Sequence, residues 1–232
     1  MKRKLSTPWS SISDLMAALM MVFLFISISY AFQVSQQTVE LESKNKKITK
    51  ILGQYSDDRA LIYQALIERF GDRLPGWGAT IDRDTLTLRF NDPALLFQPG
   101  SSELTSRFEV ILGEFWVDYT EILTRYSSSI REVKIEGHTS SEWSNATVEE
   151  SYFNNMQLSQ ERTRSTLYKC YQLTPENLRK WVRSYVTANG MSFSRRVVDE
   201  AGNEDQERSR RVEFTIVVDS KTTLDELQGE LK

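Results

Sequence analysis

Apolar residues are spread unevenly along this chain, and the spread divides it into segments. From Leu15 to Phe32 there are 18 residues with no charge, no glycine and no proline, and only Ser27 and Ser29 break the apolar run. As a helix at about 1.5 Å per residue, such a run spans roughly 27 Å, close to the hydrocarbon thickness of a bilayer. Ile12 and Ser13 extend it, so the pattern predicts a transmembrane helix over 12–32. Residues 33–78 are polar and charged, with Val34, Leu41, Ile48, Tyr55 and Ile62 falling seven apart. The companion positions Thr38, Asn45, Leu52, Arg59 and Leu66 are only partly apolar. This weak heptad predicts a helical neck, self-pairing as a coiled coil. The alternative is a lone amphipathic helix folded onto the later part of the chain.

The run Gly71 to Gly78 breaks the pattern, and a globular domain is expected over 79–220. Thr85–Phe90 alternates as a strand. Thr105 opens a helix in which Phe108, Ile111, Leu112, Phe115, Trp116 and Tyr119 recur at threes and fours. Ile130–Ile135 alternates again, and a polar loop is expected to about Asn154. Leu158–Tyr171 and Pro175–Val182 read as helices, Ser184–Ala188 and Arg211–Val218 as strands. The order strand, helix, strand, helix, strand, strand predicts an α+β chain whose globular part is an α/β sandwich on a mixed sheet. Residues 221–232 form a charged tail.

Composition narrows the function. The 29 basic and 32 acidic residues give a net charge of −3, without the basic surplus of a nucleic-acid binder. A mean hydropathy of −0.43 excludes a polytopic membrane protein. One Cys and one His argue against disulfide frameworks, metal clusters and a Ser-His-Asp hydrolase, so no enzyme, metal or cofactor is expected. Cys170 repeats with Leu167 and Tyr171 on one helix face and is expected to be buried; an intermolecular disulfide is the lesser reading. His138 is expected to be structural.

Lys2, Arg3 and Lys4 precede the apolar run, with Trp9 between. The positive-inside rule then places a short segment, 1–11, in the cytoplasm and everything after Phe32 across the membrane. A signal peptide is the alternative, with Ser29-Tyr30-Ala31 as its cleavage site, but the apolar run is longer than a signal core. Asp14 stands at the start of this helix. A carboxylate at mid-bilayer costs about 2.5–3.5 kcal/mol and usually faces a partner or a water path. Its plain reading is a helix cap, alongside Ser11 and Ser13.

Four ordered motifs carry a resemblance. They are Phe97-Gln-Pro-Gly-Ser-Ser-Glu-Leu104, Ile135-Glu-Gly-His-Thr139, Asn155-Met-Gln-Leu-Ser-Gln-Glu-Arg162 and Arg208-Ser-Arg-Arg-Val-Glu-Phe214. Together they resemble the OmpA-like peptidoglycan-binding domain. The resemblance implies binding of the peptidoglycan stem peptide, through its diaminopimelate, at Thr139, Ser140, Asn155, Leu158, Arg162 and Arg211. Asn155 and Leu158 match the family's loop-to-helix positions. A planar guanidinium at Arg162 suits a ligand carboxylate. The family's aspartate is Ser140 here, and Glu142 is the acidic residue near enough in sequence to replace it.

The membrane segment carries a second resemblance. Trp9-Ser-Ser-Ile-Ser-Asp-Leu-Met-Ala-Ala-Leu-Met-Met-Val-Phe-Leu24 is similar to the transmembrane helix of MotB-type stator subunits, and Asp14 falls on the family's ion-carrying aspartate. The resemblance implies an inner-membrane protein that carries H+ or Na+ on Asp14. It implies a homodimer inside a pentameric ring of MotA- or ZorA-like subunits, anchored to the cell wall and driving the ring's rotation. The short basic start and Ser140 make the chain more like the ZorB family of Zorya anti-phage defence systems than like flagellar MotB. A passive membrane-to-wall tether with an inert Asp14 is the structural alternative.

Overall fold

The computed structural model describes residues 8–98 and 100–219. The expected charged tail, and residues 1–7 of the expected cytoplasmic segment, lie outside the described residues. The chain divides into two compact units, one ending at Leu52 and one starting at Gly53.

One helix, α1 (Pro8–Phe70), carries both the apolar run and the polar segment after it. In the first unit its stretch from Ile12 is, among the described residues, the one long and apolar enough to cross a membrane. Leu15, Leu19, Phe23 and the other large side chains of the run are exposed within the chain. Farther along, Thr38 and Thr49 return hydroxyls to the carbonyls of Val34 and Asn45 at 2.9 Å, and Lys44 pairs with Glu40 at 2.9 Å.

The second unit is built on a five-stranded sheet in the order β1-β2-β5-β3-β4. Its strands are β1 (Ala79–Asp82), β2 (Thr87–Phe90), β3 (Ile130–His138), β4 (Val186–Gly190) and β5 (Arg211–Val218). Only β3 and β4 pair in parallel. Helices α2 (Pro93–Leu96), α3 (Ser106–Arg125), α4 (Val148–Leu173), α5 (Glu176–Tyr185) and α6 (Gln206–Ser209) complete it. The expected mixed-sheet sandwich is therefore present, with β1 added as a hairpin partner of β2.

Period-two alternation explains the sheet's two faces. Leu88 and Phe90, Val133 and Ile135, and Val212, Phe214 and Ile216 are buried on one side. The expected face of α3 packs there, with Phe115 and Phe214 edge to face at 5.3 Å between ring centroids. On the other side stand Arg89, Glu136 and Glu213.

Three boundaries differ from the sequence reading. Ser184 and Tyr185 end α5, so β4 runs from Val186 to Gly190 and not from Ser184 to Ala188. Ile62, Leu66 and Phe70, four residues apart on α1, are fully buried in this core. Asp58 accepts a hydrogen bond from Ser129 at 2.6 Å, and Arg69 pairs with Asp118 at 2.6 Å. The end of the segment read as a neck thus belongs to the globular unit, which starts ahead of residue 79. Two of the apolar positions assigned to a coiled-coil seam, Ile62 and Leu66, are spent on it.

Helix α4 starts ten residues before the expected Leu158. Thr147 caps it, accepting from the Glu150 N–H, while the Glu150 carboxylate accepts from the Thr147 N–H at 2.8 Å. Its buried face is Ser151, Asn155, Ser159, Thr163, Thr166 and Cys170, small and mostly polar. That face lies against the glycines of β3 and β4. A Cβ on Gly190 would stand 2.4 Å from the Gln160 backbone nitrogen, and one on Gly137 2.7 Å from Thr163 Cγ2. The contact works because both sides lack bulk. Cys170 is a free, buried thiol whose pKa burial raises, so it is not presented for an intermolecular disulfide.

Gly190→Ala is expected to destabilise the globular unit by about 1–3 kcal/mol, because the clash is with backbone. A lowered thermal midpoint of the protein in detergent, read by the globular unit's unfolding, checks it.

Candidate functional site

The sheet's upper edge, the loop after β3, α2, α4 and the turn from α6 into β5 enclose a groove of about 830 Å3. Its position follows from local chemistry. Asp92 caps α2, accepting from the N–H groups of Ala94 and Leu95. The loop after β3 is fixed by the Thr139 N–H donating to the Ser192 carbonyl at 3.0 Å. Ser141 donates its N–H to Glu204 at 2.9 Å and its hydroxyl to the same carboxylate. From α4, the Ser151 hydroxyl donates to the Ser141 carbonyl at 2.8 Å.

All six residues singled out from the sequence line this groove: Thr139, Ser140, Asn155, Leu158, Arg162 and Arg211. They arrive from three parts of the fold. Asn155, expected at a loop-to-helix junction, instead lies in the third turn of α4, with its amide 3.4 Å from the Ser151 hydroxyl. The link from helix to loop is made by Ser151, to which Asn155 donates.

The two arginines are in different electrical circumstances. Arg211 is buried and engaged at all three nitrogens. Its Nε donates to Glu213 at 2.7 Å, and its Nη atoms donate to the carbonyls of Ser209 and Arg195 at 3.1 and 3.2 Å. Arg162 is half-buried. Its Nε donates to the Ser101 carbonyl at 2.9 Å, and its guanidinium lies over the Phe97 ring at 4.8 Å. Among the described residues it has no carboxylate partner. Burial, with Arg210 nearby, lowers its pKa to about 10, so it stays charged at neutral pH. The groove therefore presents a desolvated, oriented cation with donors to spare, which is an anion-binding arrangement. The groove's carboxylates, Asp92, Glu142 and Glu207, are exposed and belong to its rim. Glu142 stands 3.9 Å from Arg210.

At the end of β3 and along β5, Glu136, His138 and Glu213 bring three possible metal-ligating atoms within 4.8 Å of one another. Guanidinium groups already supply the cationic charge. Arg89 lies 2.6 Å and Arg211 2.7 Å from Glu213, and Arg195 lies 3.5 Å from Glu136. A divalent ion would meet a net positive surround, so the cluster reads as an ion-pair network. His138 ends β3 and is buried, and among the described residues neither ring nitrogen has an aligned hydrogen bond. Nor, among the described residues, does the Thr139 hydroxyl beside it have a partner.

The sequence reading did not single out Arg210 or Trp143, which also line the groove. Arg210 stood inside a quoted motif. Trp143 lay in a polar loop with no periodicity to mark it.

In the first unit, α1 is helical from Pro8, the first described residue, so at least six helical residues precede Asp14. That puts it beyond the first-turn N–H groups a cap serves, and the capping reading of Asp14 falls away.

Acid is expected to loosen the globular unit in two stages. Burial holds His138 below its usual pKa of 6.5, against the opposing pull of Glu213. Burial alone would raise Glu213, but His138 and Arg211 bring it well below the ordinary glutamate value of 4.5. Both folded-state values are depressed, so the stabilisation is complete above the unfolded values and is lost as pH falls. The first loss begins near pH 6.5 and the second near 4.5. His138→Asn should remove the first stage and shrink the second, because His138 is one of the two groups that hold Glu213 down, in denaturant midpoints measured from pH 8 to 4.

No family model matches the chain. It resembles a MotB-like protein from Desulfovibrio vulgaris in fold, with a TM-score of 0.52 at 22% identity, over 72% of this chain and 94% of that one. In sequence it is similar to the Zorya protein ZorB of Escherichia coli (the Crooks strain), 42% identical over 217 residues, which is 92% of this chain and 88% of the relative. Identity at that level over nearly the whole of both chains places the protein in the ZorB family of Zorya proteins.

Proposed function

We propose that this chain is the wall-anchored B subunit of an ion-driven membrane motor that serves anti-phage defence. The observation that carries the anchoring half is Arg162, a half-buried groove guanidinium with no carboxylate partner among the described residues. A peptidoglycan stem peptide ends in carboxylates, and the planar fork takes one of them bidentately. Ser140, Thr139 and Asn155 supply neutral hydrogen-bonding groups around it. Ser140 cannot pair with the ligand's ammonium, so that contact falls to Glu142 on the rim. Leu158 gives the apolar wall, and Arg211 acts through Glu213 to hold the groove's floor.

The motor half rests on Asp14. It is the only acidic residue among positions 12–32, and Ala17 and Ala18 lie three and four residues on. Small side chains beside a carboxylate let a partner helix approach closely. Such a carboxylate takes up a proton or Na+ when desolvated and releases it when hydrated or beside another charge. Moving one charge through 100 mV releases about 2.3 kcal/mol, enough to bias one conformational step. In this reading two copies sit in a pentameric ring of ZorA-like subunits, with the N-terminus cytoplasmic and the globular unit periplasmic.

Asp14→Asn is expected to abolish phage protection while membrane insertion, complex formation and sacculus binding persist. Retained protection would leave a passive tether. Arg162→Ala is expected to weaken retention on purified sacculi by about tenfold, the scale of one charge-assisted contact. Unchanged retention in a cosedimentation assay would remove the groove from the anchoring role.

A further inference from the structure

A second concavity, of about 630 Å3, adjoins the groove. Trp143 and Ser144 line both. The rest of its wall comes from Asn145, Thr147, Phe153 and Asn154, among others. Two aromatic side chains are left in the open there, Trp143 at 38% and Phe153 at 62% exposed. The Phe153 ring is held rather than loose: it stands edge-on to Tyr152 at 5.5 Å, and Tyr152 stands edge-on to Phe193 at 5.4 Å. Asn145 holds the turn at a φ of +57°, a left-handed conformation that asparagine tolerates better than most residues.

The chemistry of this wall selects its occupant. The start of α4 is partly used already, because Thr147 and Glu150 occupy each other's N–H groups. Glu149 and Glu150 make the rim acidic. A phosphate or a sulfate is therefore disfavoured. The wall is left with flat aromatic surface flanked by the amides of Asn145 and Asn154. That combination matches a neutral pyranose ring bearing an N-acetyl group: axial C–H groups lie on an aromatic face, and the hydroxyls and acetamide bond to the side-chain amides.

We infer that this concavity is a sugar subsite, taking the N-acetylated amino sugar from which the stem peptide hangs. The inference rests on the reading of the groove as a stem-peptide site. A stem peptide is covalently joined to its sugar, so a ligand seated on Arg162 brings that sugar to the groove's mouth. The shared residues Trp143 and Ser144 make the two concavities one continuous path. The globular unit thereby reads both the peptide and the glycan strand that carries it.

The test compares two ligands on the full chain in detergent by isothermal titration: a disaccharide-tetrapeptide, and the same tetrapeptide without sugars. The disaccharide-tetrapeptide is expected to bind roughly five- to tenfold tighter, the scale of one or two aromatic contacts. Phe153→Ala should erase that gain and leave the free tetrapeptide's affinity unchanged, since Phe153 does not line the groove. Asn154→Ala, at a half-buried position, should reduce the gain without touching the peptide. Equal affinities for the two ligands in the native chain would overturn the subsite and leave the groove standing. Equal losses for both ligands in Phe153→Ala would overturn it too. If the free tetrapeptide does not bind while the disaccharide form binds through Phe153, the groove reading fails and the subsite survives. If neither ligand binds, both fall.

Discussion

The close approach of α4 to the parallel pair β3–β4 is the constraint on which the rest of the globular unit depends. It is made by subtraction. Gly137 and Gly190 remove side chains from the strands, and Ser159 and Thr163 keep the facing helix thin. Hydrogen bonds then lock the join: the Ser159 hydroxyl donates to the Met156 carbonyl and accepts from the Ser192 N–H, both at 3.0 Å. The same helix carries Asn155, Leu158 and Arg162, and strand β3 ends in His138, with Thr139 just beyond. A wider spacing here would move one wall of the groove away from the other.

Charge is managed by a division of labour among the arginines. Arg89, Arg195 and Arg211 neutralise Glu136 and Glu213 on the sheet's polar face, where both carboxylates are buried. A buried ion pair adds little net stability, but breaking one leaves an uncompensated charge, so such a network fixes geometry more than it strengthens the fold. Arg162 is left outside that network. Its burial is supported by Phe97 and a backbone carbonyl, which orient a guanidinium without neutralising it. An arginine kept half-desolvated and, among the described residues, without a carboxylate, beside three that are paired, is one whose free energy an external anion would lower.

How much of this was legible in the sequence depends on which force wrote each part. Helix α3 was legible because its inner face is apolar at threes and fours. The strands β2, β3 and β5 were legible for the same reason, because burial of hydrocarbon sets their period. The apolar run of α1 was legible by its length alone. The start of α4 was not, because its inner face is small and polar, and hydrophobic periodicity has nothing to detect there. A local signal did exist, the Thr147-Val-Glu-Glu150 capping box. The strand β1 has four residues and only its pairing with β2 reveals it. Ile62, Leu66 and Phe70 were visible as an apolar stripe, but a stripe does not say what covers it. The groove residues were legible through motif resemblance alone, since nothing in their spacing distinguishes Arg162 from a surface arginine. That Arg211 is occupied while Arg162, among the described residues, lacks a carboxylate is a fact of three-dimensional partners.

Asp14 shows the same limit from the other side. In the sequence its neighbours Ser11 and Ser13 made a cap a sound explanation, because capping needs only a short polar side chain at a helix start. What decides the matter is how far the helix reaches ahead of it, and α1 is already helical at Pro8. A carboxylate with at least six helical residues before it, at the head of the apolar run, is past the N–H groups that a cap serves. It must either bear the cost of desolvation in the membrane or meet a partner that offsets it. The residues one turn on, Ala17 and Ala18, offer it neither charge nor hydrogen bond. That is the support for the proposed ion-carrying role: a purely mechanical anchor has no use for such a carboxylate, and a neutral residue would insert more favourably.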